Sequence, residues 1–143
     1  MNTGAILLIE DNPDDVELTL RAFRQHNVTN EIIVARDGAE AQELLFGDDR
    51  SIPVPALILL DLKLSKLNGV EVLASLREHA LTALVPVVIL TSSVEEEDIV
   101  SAYQSGANSY IRKPVDFSDF VAAIKQVGTY WLLINQPPPG PRS

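Results

Sequence analysis

Three apolar runs in this 143-residue chain each stop at residues able to do chemistry. Ala5-Ile6-Leu7-Leu8-Ile9 runs into Glu10-Asp11, Ala56-Leu57-Ile58-Leu59-Leu60 into Asp61, and Val87-Val88-Ile89-Leu90 into Thr91. A shorter segment, Ser109-Tyr110-Ile111, leads to Arg112-Lys113-Pro114. Carboxylates packed closely repel and shift one another's pKa, and a divalent cation relieves that repulsion. With oxygen donors, and no histidine or cysteine beside them, the hard choice is Mg²⁺. A lysine such as Lys113 adds a point charge suited to a phosphoryl group, and a hydroxyl such as Thr91 can donate to its oxygens. Together these groups make a clamp for a transferring phosphoryl group. Asp61 would be the nucleophile, giving an aspartyl phosphate.

Each residue alone has a bland reading. A lone Asp after a strand is usually a cap or a turn residue, although no helix starts directly after Asp61. Thr91 alone reads as a strand-end hydroxyl bonded to backbone, Lys113 as a surface lysine, and Glu10-Asp11 as a solvated turn. The specific signal is their order: acid pair, central acid, hydroxyl, lysine, each at the end of its own strand.

The elements that would position them follow from the pattern. Five uninterrupted apolar residues suit a strand buried on both faces, as in a parallel sheet covered by helices. After the first strand, Asn12 is a good N-cap, Pro13 suits the first helical position, and Asp14 and Asp15 favour the helix dipole. Asp14 and Asp15 are thereby explained and receive no further role. Val16, Leu20 and Phe23 mark the buried face of that helix. A second strand spans Glu31 to Ala35. Asp37 with Glu40 reads as a capping box for a helix over Ala39 to Phe46 that Gly47 ends. Asp48-Asp49-Arg50, Pro53 and Pro55 read as a solvated loop.

After Asp61, the segment Leu62 to Gly69 reads as a loop with a glycine turn, and Val70, Leu73 and Leu76 give the next helix its buried stripe. Ser93 with Glu96 reads as a capping box, Glu95 to Asp98 load the acidic end of that helix, and Gly106 stops it. Phe117, Phe120, Val121, Ile124, Val127 and Trp131 form a last helical stripe. Five strands alternating with five helices imply a doubly wound α/β fold, a five-stranded parallel sheet with helices on both faces. Right-handed crossovers then put every strand-to-helix loop on one edge. Those loops carry Glu10, Asp11, Asp61, Thr91 and Lys113.

Composition bounds the rest. The length suits one domain with a real core, and 46% of residues are hydrophobic. The absence of cysteine excludes disulfides and thiolate metal sites. A formal net charge of -9 argues against nucleic acid or an anionic membrane as partner. No apolar run reaches membrane-spanning length and the N-terminus lacks a secretion signal, so a soluble cytoplasmic protein is expected.

At this point the sequence resembles the receiver domain of two-component response regulators. The matching pieces are Ile6 to Pro13, Leu57 to Leu62, Asn68-Gly69, Ile89 to Ser92, Gly106-Ala107 and Tyr110 to Pro114. The resemblance covers nearly the whole chain, to about Gly128. It is closest to the single-domain subgroup serving phytochrome-type kinases, on the Glu10 to Asp15 opening, the long loop before Ala56 and the ending Tyr130-Trp131-Leu132-Leu133. The resemblance implies a flavodoxin-like (βα)5 sheet of order 2-1-3-4-5. It implies Asp61 as phosphoacceptor, Asp11 as direct metal ligand, Glu10 as its partner acid and Lys63 as the residue offering its backbone carbonyl to the metal. It also implies Thr91 as switch hydroxyl, Tyr110 as the aromatic that moves with it, Lys113 as the phosphoryl partner, and a cis Lys113-Pro114 bond. Ser65 departs from the proline common in that loop.

The expected domain layout is a receiver over 1–134 and a proline-rich tail over 135–143, with no room for a DNA-binding output domain. Output is then expected through another protein, a homodimer built on the last helix, last strand and C-terminal segment, or phosphoryl relay. The partner implied upstream is a sensor histidine kinase. Two alternatives are an unphosphorylated pseudo-receiver and an aspartate-nucleophile phosphatase. The intact acid pair, Asp61, Thr91 and Lys113 argue against the first. Lys63, where such a phosphatase has its second acid, argues against the other. A flavodoxin-type cofactor binder would need a Gly-rich or hydroxyl-rich loop after the first strand, and none is present.

Overall fold

A computed structural model describes residues 4–26, 28–48, 52–64, 68–114 and 116–139. The chain alternates β1 (Ile6–Ile9), α1 (Pro13–Gln25), β2 (Ile32–Ala35), α2 (Gly38–Phe46), β3 (Leu57–Leu60), α3 (Gly69–Glu78), β4 (Val87–Thr91), α4 (Glu96–Gln104), β5 (Ser109–Arg112) and α5 (Phe117–Gly128). A π-helical turn, Thr129–Ile134, follows α5. All strand pairs are parallel and the sheet order is β2-β1-β3-β4-β5, as the alternation and the resemblance predict. Ser65 and parts of the loops around Asp49-Arg50 and of the proline tail lie outside the described residues. No helix among the described residues is long and apolar enough to cross a membrane.

The period of two along each strand divides the core into two layers. Leu7, Ile9, Ile58, Leu60, Val87 and Ile89 pack against α2 and α3 through Ala41, Leu45, Val72, Leu73 and Leu76. Ile6, Leu8, Leu57, Leu59, Val88 and Leu90 pack against α1 and α5 through Val16, Phe23, Phe120, Ile124 and Val127. Each of the larger side chains, Val, Leu, Ile or Phe, contributes about 1.5–3 kcal/mol of burial. The central strands β1, β3 and β4 are buried along their whole length, so a slip by one residue would exchange the side chains of the two layers.

Helix starts are fixed mostly as the sequence indicates. Asn12 Oδ1 accepts from the Asp14 and Asp15 amides at 2.9 and 3.3 Å, with Pro13 in the first turn. Asp37 Oδ1 accepts from the Glu40 amide at 2.7 Å, and Glu40 Oε2 accepts from the Arg36 amide at 3.4 Å. At the end of α4, Gly106 takes φ +108°, and its amide and that of Ala107 bond back to Tyr103 and Ala102. This pair of bonds is the Schellman stop that Gly106 predicts.

Three expectations need correction and a fourth needs completing. Ser93 does not pair with Glu96: α4 starts at Glu96 itself, and the Ser93 hydroxyl instead donates to Asp98, two residues further on. Gly69 does not make a turn in the loop. It is the first residue of α3, capped by Asn68 Oδ1 at 2.7 Å from the Val70 amide, and it lies so close to Asp61 that a β-carbon would fall 2.5 Å from the Asp61 carbonyl oxygen. Trp131 continues the stripe of α5 only half-buried, packed against the α1/α5 layer; the turn after Gly128 is π-helical, so the fully buried position falls five residues after Val127, on Leu132, which the stripe leaves out. The Lys113-Pro114 bond is trans, the form ordinarily favoured for an X-Pro bond.

Candidate functional site

Sheet register assembles the site. Ile9 is paired with Leu60, so Glu10 and Asp61 leave adjacent strands at the same level, and the Asp61 amide donates to the Ile9 carbonyl at 3.0 Å. Thr91 is paired with Arg112, so Lys113 emerges just beyond it, its amide 2.7 Å from the Thr91 carbonyl. The carboxyl end of a parallel sheet, beside the reversal of strand order between β1 and β3, is where open α/β folds bind ligands.

Carboxylate oxygens of Glu10, Asp11 and Asp61 all lie within 4.8 Å of one another. Glu10 and Asp61 are buried and Asp11 is half-buried. The Lys113 ammonium sits against this group with a side-chain exposure of only 9%. It donates to Glu10, to Asp15 at 2.8 Å and to Asp61 at 3.1 Å. An ammonium has three N–H donors, and three carboxylates from three separate segments take them. Asp61 Oδ1 accepts in addition from the Lys63 amide at 3.1 Å, and Glu10 Oε2 from the Asn12 amide at 3.2 Å.

This arrangement divides the carboxyls electrostatically. Burial pushes Glu10 up to about 7, helped by its contact with Asp61 and only partly offset by Lys113. Burial also acts to raise Asp61, but a hydrogen bond from Glu10, the Lys113 charge, the Lys63 amide and the Thr91 hydroxyl together hold it below the usual aspartate value. Lys113 is held well above the ordinary lysine value, because bonds to Asp15 and Glu10 and the Asp61 charge outweigh its burial. Of the buried pair Glu10 and Asp61, it is Asp61 that is held toward the ionised state a nucleophile needs.

Thr91 is fully buried at the end of β4 and accepts from the Ser93 amide at 3.4 Å. The Tyr110 ring packs half-buried against the α2/α3 layer, and its hydroxyl donates to the Ser93 carbonyl at 3.1 Å. Burial raises its ionisation above the usual tyrosine value. Ser93 therefore links the predicted switch hydroxyl to the predicted switch aromatic.

A sequence profile of the response regulator receiver domain matches residues 6–125. The chain belongs to this family. Among curated relatives of this receiver, a probable methanogenesis regulatory protein, FilR2 of Methanothrix harundinacea, is 39% identical over 93% of the chain and 86% of its own length. The response regulator Rcp1 of Synechocystis is 35% identical over 89% of the chain and 88% of its own length. Among solved structures, the phosphorylated cyanobacterial phytochrome response regulator RcpA superposes with a TM-score of 0.87 at 35% identity, covering 95% of this chain and 99% of that one. The Mn²⁺-bound form of Rcp1 gives the same TM-score at 33% identity, over 95% and 99%.

Of the residues singled out in the sequence, Glu10, Asp11, Asp61, Thr91 and Lys113 converge on one rim of the receiver. Tyr110 adjoins them through Ser93, and Lys63 takes part through its amide. The dipole account of Asp15 is incomplete, since its carboxylate is one of the three that hold Lys113. The signal for it was available in the sequence. Asp15 is in step with Thr19 and Ala22, which are both buried, so it starts the inward face of α1.

Proposed function

We propose that this receiver accepts a phosphoryl group on Asp61 from a phosphohistidine of a sensor histidine kinase, in a Mg²⁺-dependent reaction, and changes conformation through Thr91 and Tyr110. The observation that carries the reading is the convergence of Glu10, Asp11, Asp61 and Lys113, with Asp61 held ionised beside the buried Thr91 hydroxyl. The donor set fits a hard divalent cation: three carboxylates in mutual reach, with no nitrogen or sulfur donor among them. Asp11, Asp61 and the Lys63 carbonyl would hold it directly, with Glu10 as the partner acid. Bound there, the cation neutralises charge on the phosphoryl oxygens.

The chain's own groups do the rest. Asp61 attacks phosphorus in line; its Oδ–P bond forms as the P–N bond of the phosphohistidine breaks, and the departing imidazole keeps the electron pair and takes up a proton. Lys113 turns its ammonium from the carboxylates to the incoming phosphoryl oxygens, where its charge is most useful. Thr91 then donates to the new phosphoryl group. That withdraws its oxygen from the Ser93 amide and disturbs the Ser93–Tyr110 bond, so a local charge event reaches the surface of α4 and β5. The same groups allow slow self-phosphorylation from small phosphodonors and autodephosphorylation, with no other catalytic activity.

The kinase is proposed to be phytochrome-type, a reading supported by the phytochrome response regulators among the relatives. Homodimerisation through α5, β5 and the C-terminal segment belongs to the same proposal, supported by exposed Tyr130, Leu133 and Ile134. The receiver unit is taken to run over 1–134 with 135–143 as a tail. Acetyl phosphate with Mg²⁺ should add one phosphoryl group to the intact chain by mass spectrometry, and Asp61→Asn should abolish it. Undiminished labelling of that variant would refute the assignment. Sedimentation of a Tyr130→Ser, Leu133→Ser, Ile134→Ser variant tests the dimer, and an unchanged association state would end that part.

A further inference from the structure

Helix α4 buries fewer residues than any other α-helix, Ala102 alone, while Val100 and Tyr103 on it are 53% and 50% exposed. Its two ends are held very differently. At the front, Glu95 offers no side-chain capping bond. The tie there is Ser93, whose hydroxyl accepts from the Glu95 amide at a long 3.4 Å and donates to Asp98. Ser93 is itself bonded to Thr91 and Tyr110, so among the described residues the side-chain hydrogen bonds at the front of α4 run through Ser93 to groups that the proposed switch displaces.

The rear is clasped by Arg77 at the opposite edge of the sheet. Its Nε and Nη2 donate to the Gly106 carbonyl at 3.0 and 2.8 Å, and Nη2 to Asn108 Oδ1 at 2.8 Å. Its Nη1 donates to the carbonyls of Thr82, Ala83 and Val85 at 3.2, 3.1 and 2.7 Å. Asn108 Oδ1 also takes the Val87 amide at 2.8 Å, which ties the clasp to the first residue of β4. A β-carbon on Gly106 would lie 2.8 Å from Arg77 Cγ, so the glycine lets the side chain close over it. One rigid planar fork thus holds the end of α3, the α3–β4 turn and the α4–β5 loop together.

We infer that the Arg77–Gly106 clasp is the pivot of α4: a displacement imposed at Thr91 swings the Ser93–Val100 end and leaves Ala102–Asn108 in place. Arg77 is then a positioning residue that confines the response to the front of the helix. The inference rests on the phosphoacceptor reading for its driving event, but not for the asymmetry of the helix itself.

Amide hydrogen exchange on the full chain tests both, with and without acetyl phosphate and Mg²⁺, and with phosphorylation of Asp61 followed separately by intact mass. In the unlabelled protein, the Ile99 and Val100 amides should exchange at least about tenfold faster than those of Gly106 and Ala107, since opening starts at the weak end. Phosphorylation should change exchange over Asp98 to Val100 and leave Gly106 to Asn108 within about twofold. In Arg77→Lys, which keeps the charge but loses the fork, the change should spread to Gly106–Asn108 at unchanged labelling. A purely structural Arg77 would lower the unfolding midpoint and leave the response confined, which would overturn the proposal. So would uniform exchange along α4 in the wild type, whether or not the variant folds. Failure of acetyl phosphate to label Asp61 would defeat the phosphoacceptor reading alone, and the unlabelled exchange gradient would still decide the pivot.

Discussion

Replacing Lys113 by Met tests whether one ammonium holds the acidic rim together. Methionine keeps most of the side-chain volume and removes the charge and all three donors. The partners left behind are Glu10, Asp15 and Asp61, with side-chain exposures of 3%, 27% and 8%. A pair of unit charges about 3 Å apart is worth about 5 kcal/mol at an effective dielectric constant of about 20. The two contacts at 2.8 and 3.1 Å therefore represent about 10 kcal/mol of gross attraction. Against this stand the desolvation of the ammonium, several kcal/mol, and the freedom of Glu10 to stay protonated. Breaking one side of a buried pair has a net cost of about 3–5 kcal/mol. That is about a fifth or more of the about 5–15 kcal/mol that stabilises a typical domain.

Urea unfolding in a metal-chelating buffer near pH 8 measures the loss directly. Adding Mg²⁺ should then return up to about 2.7 kcal/mol at a hundredfold excess over its dissociation constant, because a cation at the same acids does the same neutralising work. A second substitution, Glu10→Gln, should cost less in the Lys113→Met background than in the wild type, or even stabilise, since Glu10 is then a charge with no partner. A loss below about 1 kcal/mol for Lys113→Met would refute the reasoning, as that is the value of an exposed pair.

Three further outcomes follow from the same geometry. Glu10 is raised to about 7 by burial, so its contribution to stability is present below its unfolded value near 4.5 and is lost as pH rises through 7; urea midpoints in chelating buffer should fall over that interval in the wild type and stay flatter in Glu10→Gln. Gly69→Ala drives a β-carbon onto the Asp61 carbonyl, which should destabilise the fold by about 1–3 kcal/mol and slow acetyl-phosphate labelling at least about tenfold; normal labelling would show that the approach is not needed to position Asp61. Thr91→Val keeps the shape and removes the hydroxyl, so labelling should persist while the Tyr110 ring signals in NMR no longer shift on phosphorylation.

The strands and the rim were legible because one periodicity encodes both. A strand buried on both faces must be apolar throughout, so its first polar residue marks where it leaves the sheet, and in a parallel sheet that is the ligand edge. Glu10, Asp61 and Thr91 were found this way. What was missed depended on rotation about a helix axis or on a close approach, which a linear pattern encodes weakly. Asp15 looked like a dipole residue because the first turn of a helix favours acids whichever way they point. Gly69 looked like a turn because a glycine required by a neighbouring backbone and one required by positive φ read alike. Leu132 was missed because a single π turn moves the fully buried position one residue on from Trp131, which stays half-buried against the same layer. Arg77 carried no signal at all, since its partners are backbone carbonyls and one asparagine brought together only by the finished fold.

The two edges of the sheet do opposite things with charge. At the carboxyl edge, one ammonium divides its three donors among three acids, and a phosphoryl group arriving there would find its partner already in place, its charge shared among several carboxylates. At the amino edge, one guanidinium spends every donor on neutral acceptors, four backbone carbonyls and the Asn108 side chain, so the clasp does not depend on a partner charge. A switch needs this difference. If both edges were as firmly tied as Arg77, rearrangement at Thr91 would have no soft direction to follow; if both were as loosely tied as the front of α4, the same event would dissipate along the helix without producing a defined surface.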